Sequence, residues 1–253
     1  MTELEVKGPV EQIGQAAQQA TAAETAAPPA RRRRATRFEI ALLVLVLAFA
    51  VLTVLVTTTS TQGVDVFFTH ALQAVSSPLF GSLMYAISWP GFTPQAYIIA
   101  LVIVLALYGL GLRWEAGALA ITGVLAEALD LIVKEAVRRA RPSDLLVHVA
   151  AKLGDYSFPS GHVTFYTAFF GFLWFLTFTL LKPSWIRTLL LVIFGALIVL
   201  VGVSRMYLGE HWASDVLGGY LLGSLSLMVG IRIYRSGKAR GIAQPVAPET
   251  EGS

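Results

Sequence analysis

From the N-terminus, long apolar runs alternate with short polar breaks. Residues 1–37 are polar, rich in Ala, Gln, Thr and Glu, and close on Pro28-Pro29, Arg31-Arg32-Arg33-Arg34 and Arg37. Too little apolar surface is present there to support order, so a disordered basic tail is expected. From Ile40 to Val64 no charge interrupts a stretch dense in Leu, Val and Ala. It predicts a first membrane span, too long and too far from the N-terminus for a signal-peptide core. Val66 to Leu112 again lacks Asp, Glu, Lys and Arg, but Pro90, Gly91 and Pro94 break it. Its second part, about residues 95–111, predicts a span. In its first part Thr69, Gln73, Ser76 and Ser77 fall on one helical stripe opposite Phe68, Leu72, Val75 and Leu79. That spacing predicts one amphipathic helix lying at the outer interface. Four more spans follow at about 115–133, 163–181, 188–204 and 213–231. The expected fold is all-α: a six-helix transmembrane bundle over residues 38–235, an interfacial helix between spans one and two, and a second disordered tail at 236–253.

Composition agrees with this pattern and narrows the chemistry. Of 253 residues 55% are hydrophobic and 14% charged, with a mean hydropathy of +0.67. A soluble domain carries about a quarter charged residues, so a soluble globular protein is excluded. There is no cysteine, which removes disulfides, zinc–thiolate sites, iron–sulfur ligation and thiol nucleophiles. The net charge of +3 is read as topology before it is read as a binding property. Six spans place both termini in the cytoplasm with most Lys and Arg residues. Only Lys134, Arg138, Arg139, Arg141, Lys152 and Arg205 then lie outside. A seventh span would export Arg113, Lys182, Arg187 and the basic C-terminus, so the bias favours six. The cluster Arg31 to Arg34 reads as a topogenic, lipid-contacting patch, not a nucleic-acid site. Trp89, Trp114, Trp185 and Trp212 sit at predicted span ends as interface anchors.

The outside charges oppose the topological preference, and an anionic ligand is the local reason that suits them. Three segments converge on that face. Lys134 ends span three and is followed, after six residues, by Arg141-Pro142. Pro159-Ser160-Gly161-His162 opens span four, and Ser204-Arg205 ends span five, with His211 and Asp215 beyond it. Lys134, Arg141 and Arg205 can neutralise a phosphate, the guanidiniums through forked bonds. Ser160 adds a hydroxyl, and Gly161 with His162 lies at a helix N-terminus that favours an anion. His211 and Asp215 are one turn apart, so the carboxylate is expected to accept from one ring nitrogen and leave the other as nucleophile. His162, from a different helix, is placed to give a proton to the leaving oxygen. Arg138, Arg139 and Lys152 are expected to be solvated or to touch headgroups. Asp130 is expected to pair with Lys134 or with a basic group from the loop. His70 and His148, lacking matching neighbours, read as packed or interfacial.

The pattern KxxxxxxRP, PSGH and SRxxxxxHxxxD, complete in order from Lys134 to Asp215, resembles the type 2 phosphatidic acid phosphatase superfamily, which includes the vanadium haloperoxidases. The resemblance covers roughly a third of the chain. It implies His211 as the nucleophile of a phosphohistidine, Asp215 as its orienting partner and His162 as general acid. Lys134, Arg141, Ser160, Gly161 and Arg205 would hold the phosphoryl oxygens. It further implies a metal-independent lipid phosphate phosphatase without cofactor, multi-pass in the plasma membrane, working on the extracytoplasmic face. Phosphatidic acid, phosphatidylglycerol phosphate and polyprenyl diphosphates are the substrates it suggests. A phosphotransferase would share the phosphohistidine step, and a transporter would use Glu127 and Asp130 instead. An oxidising vanadium enzyme does not suit so apolar a chain, because the haloperoxidases are soluble.

Overall fold

A computed structural model describes residues 29–240, with side chains from Thr36 onward. The tails expected at 1–28 and 241–253 lie outside the described residues. Every regular element described is helical: α1 (Pro29–Thr58), α2 (Gln62–Gln73), α3 (Pro78–Ser88), a 3-10 turn (Trp89–Gly91), α4 (Gln95–Gly109), α5 (Arg113–Val137), α6 (Gly161–Leu180), α7 (Trp185–Tyr207) and α8 (Ala213–Ala239). Two of the expected tail boundaries shift. The backbone of Arg31 to Arg34 and Arg37 is already helical in α1, and α8 carries the chain through residues 236–239.

The chain divides into two units, residues 1–44 and 45–253. In the described part of the first, α1 exposes Ile40, Leu43 and Val44. The second unit holds the rest of α1 and the whole bundle. Among the described residues five helices are long and apolar enough to cross a membrane: α5, α6, α7, α8 and residues Thr36–Thr58 of α1. The span expected at 95–111 is α4, which passes that test only together with α3 and the 3-10 turn, as a pair bent by 61°. Among the described residues the candidate spans thus number five, or six if the bent pair is one.

The single interfacial helix is corrected. Its pattern splits into α2 and α3, because Pro78 disfavours helical geometry at Ser77 and starts a new helix at its own position. Ser77 is extended, and its side chain accepts from the Phe80 N–H at 3.4 Å. Of the polar stripe, Thr69 and Gln73 turn toward the protein, while Ser76 and Ser77 are exposed. Asp65 and Thr69 are buried, while Phe67 and Phe68 are exposed. The Gln73 side chain donates to the carbonyls of His148 and Tyr207 and accepts from the His148 N–H. α2 therefore packs on α7 and α8, an amphipathic helix whose polar side faces the protein.

α6 is the axis of the bundle and packs against α5, α7 and α8. Val163, Tyr166, Ala168 and Phe172 on it are fully buried. In lipid, helices associate through close packing and not through escape from water, so small residues at the contact matter most. Gly219 and Gly223 of α8 supply it. A methyl at Gly219 would lie 2.8 Å from the Ser160 carbonyl, and one at Gly223 would lie 2.7 Å from that of Thr164. This close approach brings the start of α8 to the start of α6, where the Ser160 N–H donates to the Asp215 carbonyl at 3.0 Å. Residues 138–160 cover the same end of the bundle, pinned by Ala150 N–H to Leu208 and Ser157 N–H to Arg139.

Candidate active site

The ends of α5 and α7, the start of α6, the 3-10 turn with the start of α4, the 138–160 segment and His211 just before α8 line a cavity of about 370 Å³. Six of the eight expected site residues line it: Lys134, Arg141, Gly161, His162, Arg205 and His211. Ser160 caps α6 beside them and Asp215 lies buried in the first turn of α8. Gly161 permits the convergence, since a methyl there would stand 3.0 Å from the Asp130 carboxylate and 3.4 Å from the Lys134 ammonium.

His211 is held in one tautomer. Its Nδ1 lies 2.8 Å from the Ser157 carbonyl, which only accepts, so Nδ1 carries the proton. Nε2 lies 3.1 Å from Arg141 Nη1, which only donates, so Nε2 presents its lone pair. Burial, then the charges of Arg141, Arg205 and Lys134, push the ring's pKa well below 6.5. A neutral imidazole with its free pair toward cationic groups has the form required of a nucleophile. The expected direct bond to Asp215 is corrected: Nδ1 is 3.8 Å from that carboxylate. The backbone of Ser157 takes the place of Asp215 because that segment folds back over the helix start.

Asp215 acts one step behind. Its carboxylate accepts from the Ser157 hydroxyl and the Trp212 N–H and pairs with Arg139. Asp215 thereby fixes both neighbours of His211: the residue whose carbonyl binds Nδ1 and the backbone that follows the ring. Arg139 is not solvated as expected but largely buried, bridging Asp215 to Asp65 on α2 at 2.6 Å and reaching Thr61 and Ser214. The sequence did hold a trace of this cluster: Asp65 is an isolated carboxylate closing an uncharged run, and Arg139 is a positive charge expected to oppose the topological bias. Trp212 and Trp114 are likewise built into the protein, donating to the carbonyls of Ala140 and Tyr234. Trp89 and Trp185 are exposed, as an interface anchor requires.

The cations have protein partners of their own. Lys134 lies 3.4 Å from Asp130 and 2.7 Å from Asp155. Burial raises the Asp155 pKa, but the Lys134 hydrogen bond and the charges of Lys134 and Arg141 outweigh it and hold the carboxyl below its ordinary range. Arg205 is fully buried, donating to Ser88 and pairing with Glu210. Burial pushes the Glu210 pKa up, with Arg205 opposing. Three buried polar atoms of this region lack partners: Ser160 Oγ, His162 Nε2 and Arg205 Nε. Buried polar atoms are normally satisfied, and a hydroxyl, an imidazole and a guanidinium nitrogen together suit an oxyanion. The His162 ring is steadied by edge-on contact with Phe92, centroids 5.0 Å apart.

The cavity continues into an apolar groove of about 430 Å³ between α4, α5 and α6. Leu101, Val104, Val124 and Phe169 line the groove, and Tyr97, Glu127, Leu131 and Phe165 line both spaces. Tyr97 donates to Glu127 at 3.2 Å where the two meet. Asp130 is committed to Lys134.

The PAP2 superfamily model matches residues 111–238. Phosphatidylglycerophosphatase B of Bacillus subtilis is 29% identical over 188 residues, 72% of this chain and 88% of that protein. The undecaprenyl-diphosphatase of Sulfolobus acidocaldarius is 33% identical over 50% of this chain and 58% of its own. The crystal structure of a transmembrane PAP2-type phosphatidylglycerolphosphate phosphatase from B. subtilis aligns with a TM-score of 0.68 and 26% identity, over 77% of this chain and 96% of that one. That of Aquifex aeolicus LpxE, at 20% identity, a TM-score of 0.54 and coverage of 67% and 95%, shares the fold. Cavity, motifs and relatives agree: this chain belongs to the PAP2 superfamily and is a membrane phosphoric ester hydrolase.

Proposed function

We propose that the protein hydrolyses a terminal phosphate from a membrane lipid through a phosphohistidine on His211. The observation that carries this reading is the continuity of a cationic cavity with an apolar groove, which suits a phosphate carried on hydrocarbon. The phosphoryl oxygens would lie among Lys134, Arg141, Ser160, Arg205 and the free N–H groups opening α6. The lone pair of Nε2 attacks phosphorus, and the bond to the leaving oxygen breaks. His162 Nε2 gives that oxygen a proton. Water then attacks the phosphohistidine, His162 takes a proton from it, and the P–N bond returns its electrons to Nε2. The three cations supply the charge neutralisation that a metal provides elsewhere. The site is assigned to the extracytoplasmic face of the plasma membrane, with both termini cytoplasmic, on the charge bias of the loops.

The names of the relatives point to phosphatidylglycerol phosphate and polyprenyl diphosphate as substrates to test, with phosphatidic acid beside them. Purified protein should release orthophosphate from at least one of these in mixed micelles, in excess chelator, and be inhibited by vanadate. His211→Ala should lower the rate by roughly 10⁴-fold or more and abolish acid-labile phosphoenzyme. Turnover that survives this substitution, or that requires added magnesium, would refute the mechanism.

A further inference from the structure

We propose that Asp155 is an internal competitor for the phosphoryl group: it occupies the donors that a phosphate needs and keeps Arg141 over the nucleophile. This rests on the proposed phosphatase site. The two carboxylate oxygens span two cations, Oδ2 on Lys134 and Oδ1 on Arg141 Nη2, each at 2.7 Å. Two oxygens of a phosphate would bridge the same pair. The remaining nitrogens of Arg141 are also engaged. Nε donates to the Asp155 carbonyl at 2.9 Å, and Nη1 donates to the Glu210 carbonyl at 2.6 Å and to His211 Nε2 at 3.1 Å. The lone pair that must attack phosphorus is thus covered by a guanidinium whose position Asp155 fixes.

Something must yield for a phosphate to reach these donors, and burial identifies it. Asp130 and His211 are buried and Glu210 offers backbone, whereas the Asp155 side chain is 52% exposed. Asp155 turns out to water at the lowest cost, because water can replace its bonds. Lys134 and Arg141 then pass to the phosphate, and Arg141 uncovers Nε2 as it follows the new anion.

Charge decides which anions succeed. A carboxylate carries one negative charge, while a phosphomonoester near neutral pH carries about −1.5 to −2. A terminal phosphate therefore displaces Asp155 readily. The singly charged phosphodiesters that fill a bilayer compete with it on equal terms and gain nothing. Return of the carboxylate also helps expel orthophosphate at the end of the cycle. Asp155 is thus a positioning residue that selects for phosphate charge and limits product inhibition.

The test measures inhibition constants of the purified full-length protein on dioctanoyl phosphatidic acid, with orthophosphate and with phosphatidylglycerol as inhibitors. Asp155→Asn and Asp155→Ala should lower both constants, by roughly tenfold, the scale of releasing two partly exposed ion pairs. Asp155→Glu should remain within about twofold of wild type. Asp144→Asn, the same charge change at a nearby site paired with Lys152, should also have little effect. A merely structural Asp155 predicts the opposite sign, weaker anion binding with a lower melting temperature. Unchanged or raised constants in both Asp155 variants, with elution and melting like wild type, would overturn the proposal. If wild type hydrolyses none of the lipids, the activity is what fails. Protection from thermal unfolding by orthophosphate, compared between wild type and Asp155→Asn, then decides the Asp155 assignment without turnover.

Discussion

The Ser157 carbonyl and the Arg141 guanidinium grip His211 from opposite sides, one accepting and one donating, and this fixes which nitrogen reacts. Burial and the surrounding cations favour the neutral ring. As pH falls, free imidazole gains its proton near 6.5, whereas this ring stays neutral to lower pH. The acid limb of kcat/KM, which reports the free enzyme, should therefore lie below 6.5; a limb centred at or above 6.5 would contradict the burial argument. His162 calls for a different measurement. As general acid it matters most for a poor leaving group, so His162→Ala should cost roughly 10²–10⁴-fold on a lipid alcohol. On p-nitrophenyl phosphate the loss should be much smaller, and equal losses on both would refute the role. Arg139 tests the support behind the ring. Replacing it by Met leaves Asp65 and Asp215 buried without their cation, a loss of about 3–5 kcal/mol for a buried pair. A large fall in melting temperature is expected, and Arg139→Lys should restore part of it.

Among the elements, α8 carries the tightest constraint. Gly223 faces the Thr164 carbonyl and Thr167 at distances no side chain tolerates. Gly223→Val must push α8 from α6 and separate His211 from His162, because His211 lies just before the start of α8 and His162 in the first turn of α6. The expected result is a lower melting temperature together with lost activity, larger than for Gly195→Val, where a methyl meets nothing within 4 Å. Comparable melts for the two would show that the α6–α8 contact is loose. α2 shows how an element can be legible in pattern while its length and the facing of its stripes are not. Its polar and apolar stripes were legible, but Asp65 and Thr69 turn toward α7 and α8, and Phe67 and Phe68 turn outward.

For the whole molecule, the site end of the bundle collects Lys134, Arg139, Arg141, Lys152 and Arg205, which in the proposed orientation opposes the usual bias for cytoplasmic positive charge. In the structure Asp65, Asp130, Asp144, Asp155, Glu210 and Asp215 answer them. Local neutralisation of this kind would make export of the basic groups tolerable in the proposed orientation. The proposed orientation has a direct test, since the chain has no native cysteine. A cysteine at Gly154 should react with an impermeant thiol reagent in intact cells, and one at Ser184 should react only after permeabilisation. The reverse pattern would invert the orientation and the leaflet assignment together.

What the sequence determined by itself was whatever its spacing and residue chemistry encode locally. The apolar runs gave the membrane helices, since a span must satisfy its backbone within one continuous segment. The three motifs named the residues of the cavity, since phosphate demands cations, a hydroxyl and a helix start in any order of approach. Tertiary structure decided the partners. Asp215 is one turn from His211 in sequence, yet the nearer acceptor comes from Ser157, 54 residues away. Arg139 looked solvated until α2 brought Asp65 to it, and Asp155 had no visible role until its segment folded across Lys134 and Arg141. Helical spacing fixes which residues share a face, but loop closure fixes what that face meets. In this protein the loops supply the second partner of almost every charged group in the site.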